Sequence, residues 1–295
     1  MTNIASFDAF DNDQQIAAHQ AGLVRIVLEG DTDVKLFKRF WFPSFLETFQ
    51  FIEARLITGA AGCTGVDGAV VHSRDEGIPA VGIVDRDTYF RTKQWQNLLS
   101  LDEIQINGDW INNRVYVTSR WEVEAYLLEP ELLRPWVTVA HRNPPGSEED
   151  CERALGRTLA ACEALLAAMP FFTSQHHESI PAAPLPFLYD KPIALVMKVC
   201  SEKIALATAG SQEVATQIQA LVADIIANQP ADRSKRLGFL LRYVDTKRLF
   251  YRLHHALRIK DATNWVQLAE FMRMRNQRPA ELEQVLTSVQ AELAV

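Results

Sequence analysis

The chain reads as an α/β fold: a parallel sheet flanked by helices, followed by a mostly helical region. Two observations predict this. Apolar runs rich in β-branched residues, Leu23–Leu28 and Ile78–Val84, each end in a short acidic stretch, and helix-like periodicity separates them. Beyond Asn143-Pro144-Pro145-Gly146 the alternation of strand and helix patterns ends and a 3.6-residue period takes over.

In order, residues 23–28 read as a strand, 32–41 as a helix and 51–57 as a strand ending at Thr58-Gly59. A glycine-rich stretch with Gly59, Gly62, Gly65 and Gly68 leads into a helix near 66–76. It lacks the order of a phosphate-binding P-loop, so a turn capping a helix is the simpler reading. Gly77-Ile78-Pro79 stops that helix before the strand at 78–84, and Arg114–Thr118 forms another strand. Such strand–helix–strand alternation implies parallel pairing. Helices are expected at 148–168, 192–207, 212–228, 232–243, 246–259, 263–276 and 280–293. A proline-rich connector covers 170–191, and Pro192 opens the helix after it. The expected domains are therefore 1–140, α/β, and 141–295, helical.

The acidic stretches carry the chemistry. Glu29-Gly30-Asp31-Thr32-Asp33 follows the first strand, and Asp85-Arg86-Asp87 follows the later one, 56 positions on from Glu29. Both fall at carboxyl ends of strands, the edge where α/β sheets bind ligands. Carboxylates gathered there repel one another unless a cation sits among them, and hard oxygen donors suit Mg²⁺ or Mn²⁺. Asp85 and Asp87, two apart, can face one side. Asp33 falls in the first turn of the following helix, where it is either a ligand or a carboxylate complementing the helix dipole. Asp31 reads as an N-cap.

The pattern E-G-x-x-D after one strand and D-x-D after another resembles the TOPRIM domain of topoisomerases, primases and nucleases of the overcoming-lysogenization-defect (OLD) type. Ser119-Arg120-Trp121-Glu122-Val123-Glu124-Ala125-Tyr126-Leu127-Leu128 is similar to the R-E-I-E-N-Y-L-L segment of the OLD-like nucleases, with Trp121 for the usual Arg and Ala125 for the usual Asn. The likeness covers residues 20–135 and is most like the TOPRIM effector nucleases of PARIS-type anti-phage systems. It implies a Mg²⁺-dependent endonuclease of the cytoplasm, toxic to its own cell and held inactive by an ABC-type ATPase sensor subunit. It further implies DNA or tRNA as substrate and a homodimer when active. The metal ligands it implies are Glu29, Asp33, Asp85, Asp87 and Glu124, with Glu29 also catalytic. Glu122 competes with Glu124, since on a helix the two point roughly 200° apart. Lys247 matches a late lysine placed near the metals, where it would stabilise transition-state charge. A surface lysine on a basic helix is the other reading.

The net charge of −7 is unevenly spread: residues 233–278 hold twelve Lys or Arg against three acids, giving +9 there and −16 elsewhere. That asymmetry permits a phosphate-binding face, with Lys235, Arg236, Arg242, Arg248 and Arg252 as candidates, although amphipathic helices with solvated faces give the same pattern. Cys63, Cys151, Cys162 and Cys200 have no metal-site spacing. No apolar run reaches the ~20 residues of a membrane span, and the polar, acidic start is unlike a signal peptide. His176-His177 and His254-His255 lack the i, i+4 spacing of a helical metal pair. The aromatic run Phe37, Phe40, Trp41, Phe42, Phe45 and Phe49 reads as core.

Among rivals, haloacid-dehalogenase-like phosphatases share D-x-D but want Thr or Val where Tyr89 stands. Topoisomerases carry strand-passage domains for which the chain is short, and primases carry zinc cysteines that it lacks. A non-catalytic TOPRIM subunit, binding or regulating, is the alternative from another class.

Overall fold

The computed structural model describes residues 22–102, 108–112, 114–180, 186–189, 191–260 and 265–293. Its α/β architecture comprises a five-stranded, mostly parallel sheet with helices, plus a helical C-terminal region. The chain divides into two compact units, and not at residue 140 as expected. One holds the chain to Asp85, the stretch ending at Thr118 and the chain from Met272. The other holds the segment that begins at Arg86 and the long stretch Ser119–Phe271.

In the first unit the strands are β1 (Val24–Leu28), β2 (Phe49–Glu53), β3 (Ala80–Val84), β4 (Asp109–Ile111) and β5 (Val115–Val117). Their order is β2-β1-β3-β5-β4, and only β4 runs antiparallel, pairing with β5. Every residue of β1 and β3 is buried, which accounts for their apolar character; the one charged residue, Arg25 of β1, is buried too and donates to Gln50 Oε1 and Ser73 Oγ. The chain leaves β1 towards β2 on one side, then returns to place β3 on the other. β1 and β3 therefore flank the point where strand order reverses, and a crevice opens there at the carboxyl ends.

Local chemistry explains the departures from the expected boundaries. β2 is 49–53 and not 51–57, because the chain turns into the helix Arg55–Thr58, closed by Gly59 at φ 76°. The following helix begins at Gly62 and runs to Asp75, so Gly62, Gly65 and Gly68 lie inside it. Gly82 of β3 lets this helix approach closely: an added Cβ would lie 2.4 Å from Val66 Cγ1. Phe37, Trp41, Phe42, Phe49 and Phe51 are buried, and Phe37 meets Trp41, Phe42 and Phe51 ring to ring. Of the aromatic run, Phe37, Trp41, Phe42 and Phe49 are thus core, while Phe40 and Phe45 are half-buried. The last helix, Ala280–Leu293, bonds to β5 through Tyr116 Oη donating to Glu281 at 2.9 Å.

The second unit is helical, built around Ala154–Ala167, which packs against Pro130–Ala140, Ile193–Ile204, Arg233–Leu240 and Thr246–Ala256. Four of its described helices fall where none was expected: Asp87–Arg91, Trp95–Leu98, Pro130–Ala140 and Met169–His177. Pro130–Ala140 contains Pro135, and Met169–His177 has Pro170 in its first turn, where the missing N–H costs nothing. The connector at 170–191 therefore begins only after His177. Residues 181–185 lie outside the described ones. Ala154–His177 is long and apolar enough to cross a membrane by length and composition, but 67% of its apolar window is buried inside the protein.

Candidate metal centre

Glu29 follows β1 and Asp85 follows β3, so the strand-order reversal sets them side by side. The backbone N–H of Asp85 donates to Glu29 Oε1 at 2.9 Å. Asp85 is buried and Glu29 half-buried. Asp87 lies two residues further along the same turn. Glu29, Asp85 and Asp87 each offer an oxygen, and the three oxygens lie within 4.8 Å of one another. Three carboxylates at that spacing form a hard, anionic donor set of the kind that suits Mg²⁺ or Mn²⁺.

Asp33 is engaged otherwise. Its Oδ2 accepts the Gly30 N–H at 3.0 Å, capping the helix Asp31–Lys35. The group of carboxylates able to share an ion does not include it. Asp31 sits at the surface, paired with Lys35 four residues on.

Asp87 opens the helix Asp87–Arg91. Its Oδ2 accepts from Arg91 Nη2 at 2.7 Å and Nε at 3.1 Å, while Oδ1 is buried with no hydrogen-bond partner. Burial raises its pKa above the usual carboxylate range, opposed by the Arg91 and Lys247 cations. The Asp87 N–H donates to the Trp121 carbonyl at 3.1 Å, and Trp121 packs on Phe90. Trp121 is thus a core side chain.

The third acidic stretch does not form an α-helix. Glu122 is extended, and Val123–Leu127 is a 3-10 turn. This removes the expectation that Glu122 and Glu124 face apart: both line one pocket with Lys247. Glu122 is the buried member, 3% exposed, and Lys247 Nζ donates to its Oε1 at 2.5 Å. Its Oε2 is buried without a hydrogen-bond partner. Burial pushes the Glu122 carboxyl up to about 8, with Lys247 pulling down and Asp245 and Glu124 pushing up. Sequence reasoning favoured Glu124 and missed the burial of Glu122, whose signal was its place after Trp121 in an apolar run.

No family model matches the chain, and no curated protein matches it.

The basic residues divide by environment. Arg252 is buried, its guanidinium donating to the carbonyls of Leu188 and Lys191, which leaves it no surface for a phosphate. Arg248 lies over the Phe172 ring at 4.3 Å and pairs with Asp245. Arg236 donates to the carbonyls of Pro230 and Ala231. Arg242 is half-buried and Lys235 exposed. The histidine pairs are engaged separately: His177 with Ser211, His176 on Phe90, His254 with Arg142 and His255 on Tyr189.

Proposed function

We propose that this chain is a divalent-metal-dependent nuclease of the TOPRIM type, hydrolysing phosphodiester bonds. The observation that carries the reading is the gathering of Glu29, Asp85 and Asp87 at the carboxyl edge where strand order reverses. The donor set fits a hard cation: all ligands are carboxylate oxygens, and Asp87 Oδ1 is buried with no partner of its own. A bound divalent cation supplies charge neutralisation at the attacked phosphate and activation of the attacking water. Around it, Glu29, Asp85 and Asp87 are the residues that would hold the ion. Arg91 fixes one oxygen of Asp87 and so orients the other. Lys247, 66% exposed and anchored on Glu122, presents its ammonium to anionic oxygens of a substrate.

The likeness to PARIS-type subunits extends the proposal to a toxic effector restrained by a separate ATPase, since the chain carries no Walker A sequence of its own. The test is cleavage of plasmid DNA and total tRNA with Mg²⁺ or Mn²⁺ by wild type and Glu29→Gln. Cleavage that needs the metal and disappears in the variant is expected. Equal activity of the two proteins would remove Glu29 from the centre of the reaction, and no activity with any substrate would leave a non-catalytic TOPRIM subunit.

A further inference from the structure

The helical unit carries an exposed face on which cations meet stacked rings. From Thr246 to Lys260 the chain holds five Lys or Arg and no acid. Arg248 and Arg252 are spent on contacts within the unit, and Lys247 is anchored on Glu122. Arg258 and Lys260 remain, and the fold brings a third cation to them. His141 and Ile259 form an antiparallel bridge. Beside it the Arg142 N–H donates to the Arg258 carbonyl at 2.8 Å, and the Lys260 N–H to the Ala140 carbonyl at 2.9 Å. His141 and Ile259 are buried, whereas Arg142, Arg258 and Lys260, which flank them, are all exposed. Arg142 thus stands opposite Arg258, a pairing of like charges that costs stability until an anion joins them. Arg142 donates to the Ile259 carbonyl at 3.4 Å and to His254 Nε2 at 3.0 Å, and among the described residues no acid pairs with any of the three cations.

The rings begin where the cations end. Tyr251 and His255 are four residues apart on the helix Thr246–Ala256, so they share one side of it. Tyr189 stacks on both, on His255 at 5.1 Å with planes 6° apart and on Tyr251 at 6.4 Å with planes 28° apart. His255 meets His254 edge to face at 5.0 Å, and His254 leads to Arg142. Tyr251 is 52% exposed and His255 is exposed as well, so the line keeps a ring open to solvent at each end. Lys247 lies one turn before Tyr251 on the same side, which starts the line at the ammonium that the nuclease reading gives to the substrate.

We infer that this face is a track for single-stranded nucleic acid, with bases on the rings and phosphates on Arg142, Arg258 and Lys260. The inference rests on the nuclease reading and names the strand state of its substrate. Cations alone take any polyanion. The rings narrow the choice, because a base offers its face to a side chain only when it is unpaired and unstacked, and a closed duplex hides it. An acidic peptide or a polyphosphate would use the cations and leave the rings idle.

The test is fluorescence anisotropy of the full chain, in EDTA, with labelled oligo(dT) and oligo(U), their duplexes of the same length, and a poly-glutamate peptide. At least one single strand is expected to bind about tenfold or more tightly than its duplex. Tyr251→Ala should weaken that binding by about tenfold or more at every salt concentration. Arg258→Gly combined with Lys260→Gln should weaken it too, and flatten the slope of log affinity against log salt by roughly 1.4, about 0.7 for each lost phosphate contact. Glycine suits the left-handed backbone of residue 258, at φ 54°, so this variant should melt no lower than wild type, which separates lost contacts from lost fold. A duplex bound as tightly as its single strand, no oligonucleotide bound, Tyr251→Ala without effect, or an unchanged salt slope overturns the track. Poly-glutamate bound more tightly than either single strand also overturns it, and assigns the face to an acidic protein partner. No metal is present and no cleavage is read, so this result is separate from the Glu29→Gln cleavage test: either can fail alone.

Discussion

Glu29 accepts the backbone N–H of Asp85 at 2.9 Å, tying the ends of two adjacent parallel strands together through a carboxylate. One Glu29 oxygen is thereby held in place on the rigid end of the sheet. Glutamine keeps an oxygen that can accept the same bond, so Glu29→Gln removes charge with the smallest change in structure.

The first prediction follows from repulsion among the acids. Without a cation, Glu29→Gln and Asp85→Asn relieve it, and each should melt about 2 °C or more above wild type in EDTA. Added Mg²⁺ should raise the wild-type melting temperature more than that of either variant. Differential scanning calorimetry in EDTA and in Mg²⁺ checks both signs.

The buried Glu122 sets a pH dependence. Its carboxyl is raised to about 8 in the folded protein from an ordinary 4.5, so the folded state holds a proton that the unfolded state releases first. Its contribution to stability is complete below about pH 4.5 and is lost as pH climbs through about 8, with a slope of at most about 1.4 kcal/mol per pH unit. Glu122→Gln cannot titrate, so urea melts from pH 5 to 8 should lose this slope. A slope identical to wild type would show that Glu122 is ionised throughout.

Lys247 is argued to meet the substrate through its exposed ammonium. Lys247→Met should therefore lower kcat by about a hundredfold or more, with the melting temperature nearly unchanged. It should also move the Glu122 titration to higher pH, read by the same urea melts.

The basic residues separate by burial. Arg252→Met should destabilise by about 2–3 kcal/mol, because two carbonyls lose a charged donor. Lys235→Glu, at an exposed position, should stay within about 0.5 kcal/mol of wild type. If Lys235 meets phosphate, it should also flatten the salt dependence of nucleic-acid binding.

Gly82 is a packing test. Gly82→Ala sets a methyl group 2.4 Å from buried Val66 Cγ1 and should cost about 1–3 kcal/mol. Val66→Ala in the same chain should recover part of that loss.

What was legible in the sequence follows from period and place. β1, interrupted only by Arg25, and β3 announced themselves as apolar runs, and the acids just beyond them could be nowhere but the strand ends. Glu122 was less legible because helical geometry was assumed where the chain is extended and then 3-10. Helix Met169–His177 was hidden by the proline-rich reading of 170–191, although Pro170 sits in its first turn, and Pro130–Ala140 was not assigned at all, although Pro130 likewise opens it. β4, three residues long, shows too little alternation to register. The basic cluster looked like one surface, yet burial spends Arg252 on backbone carbonyls, which charge counting cannot reveal.

The most direct measurement is Mn²⁺ binding, followed by electron paramagnetic resonance, to wild type and to Glu29→Gln, Asp85→Asn and Asp87→Asn. Wild type should bind the ion, and each variant should bind it at least about tenfold more weakly with the fold intact by circular dichroism. Mn²⁺ affinity unchanged in all three variants would contradict the account.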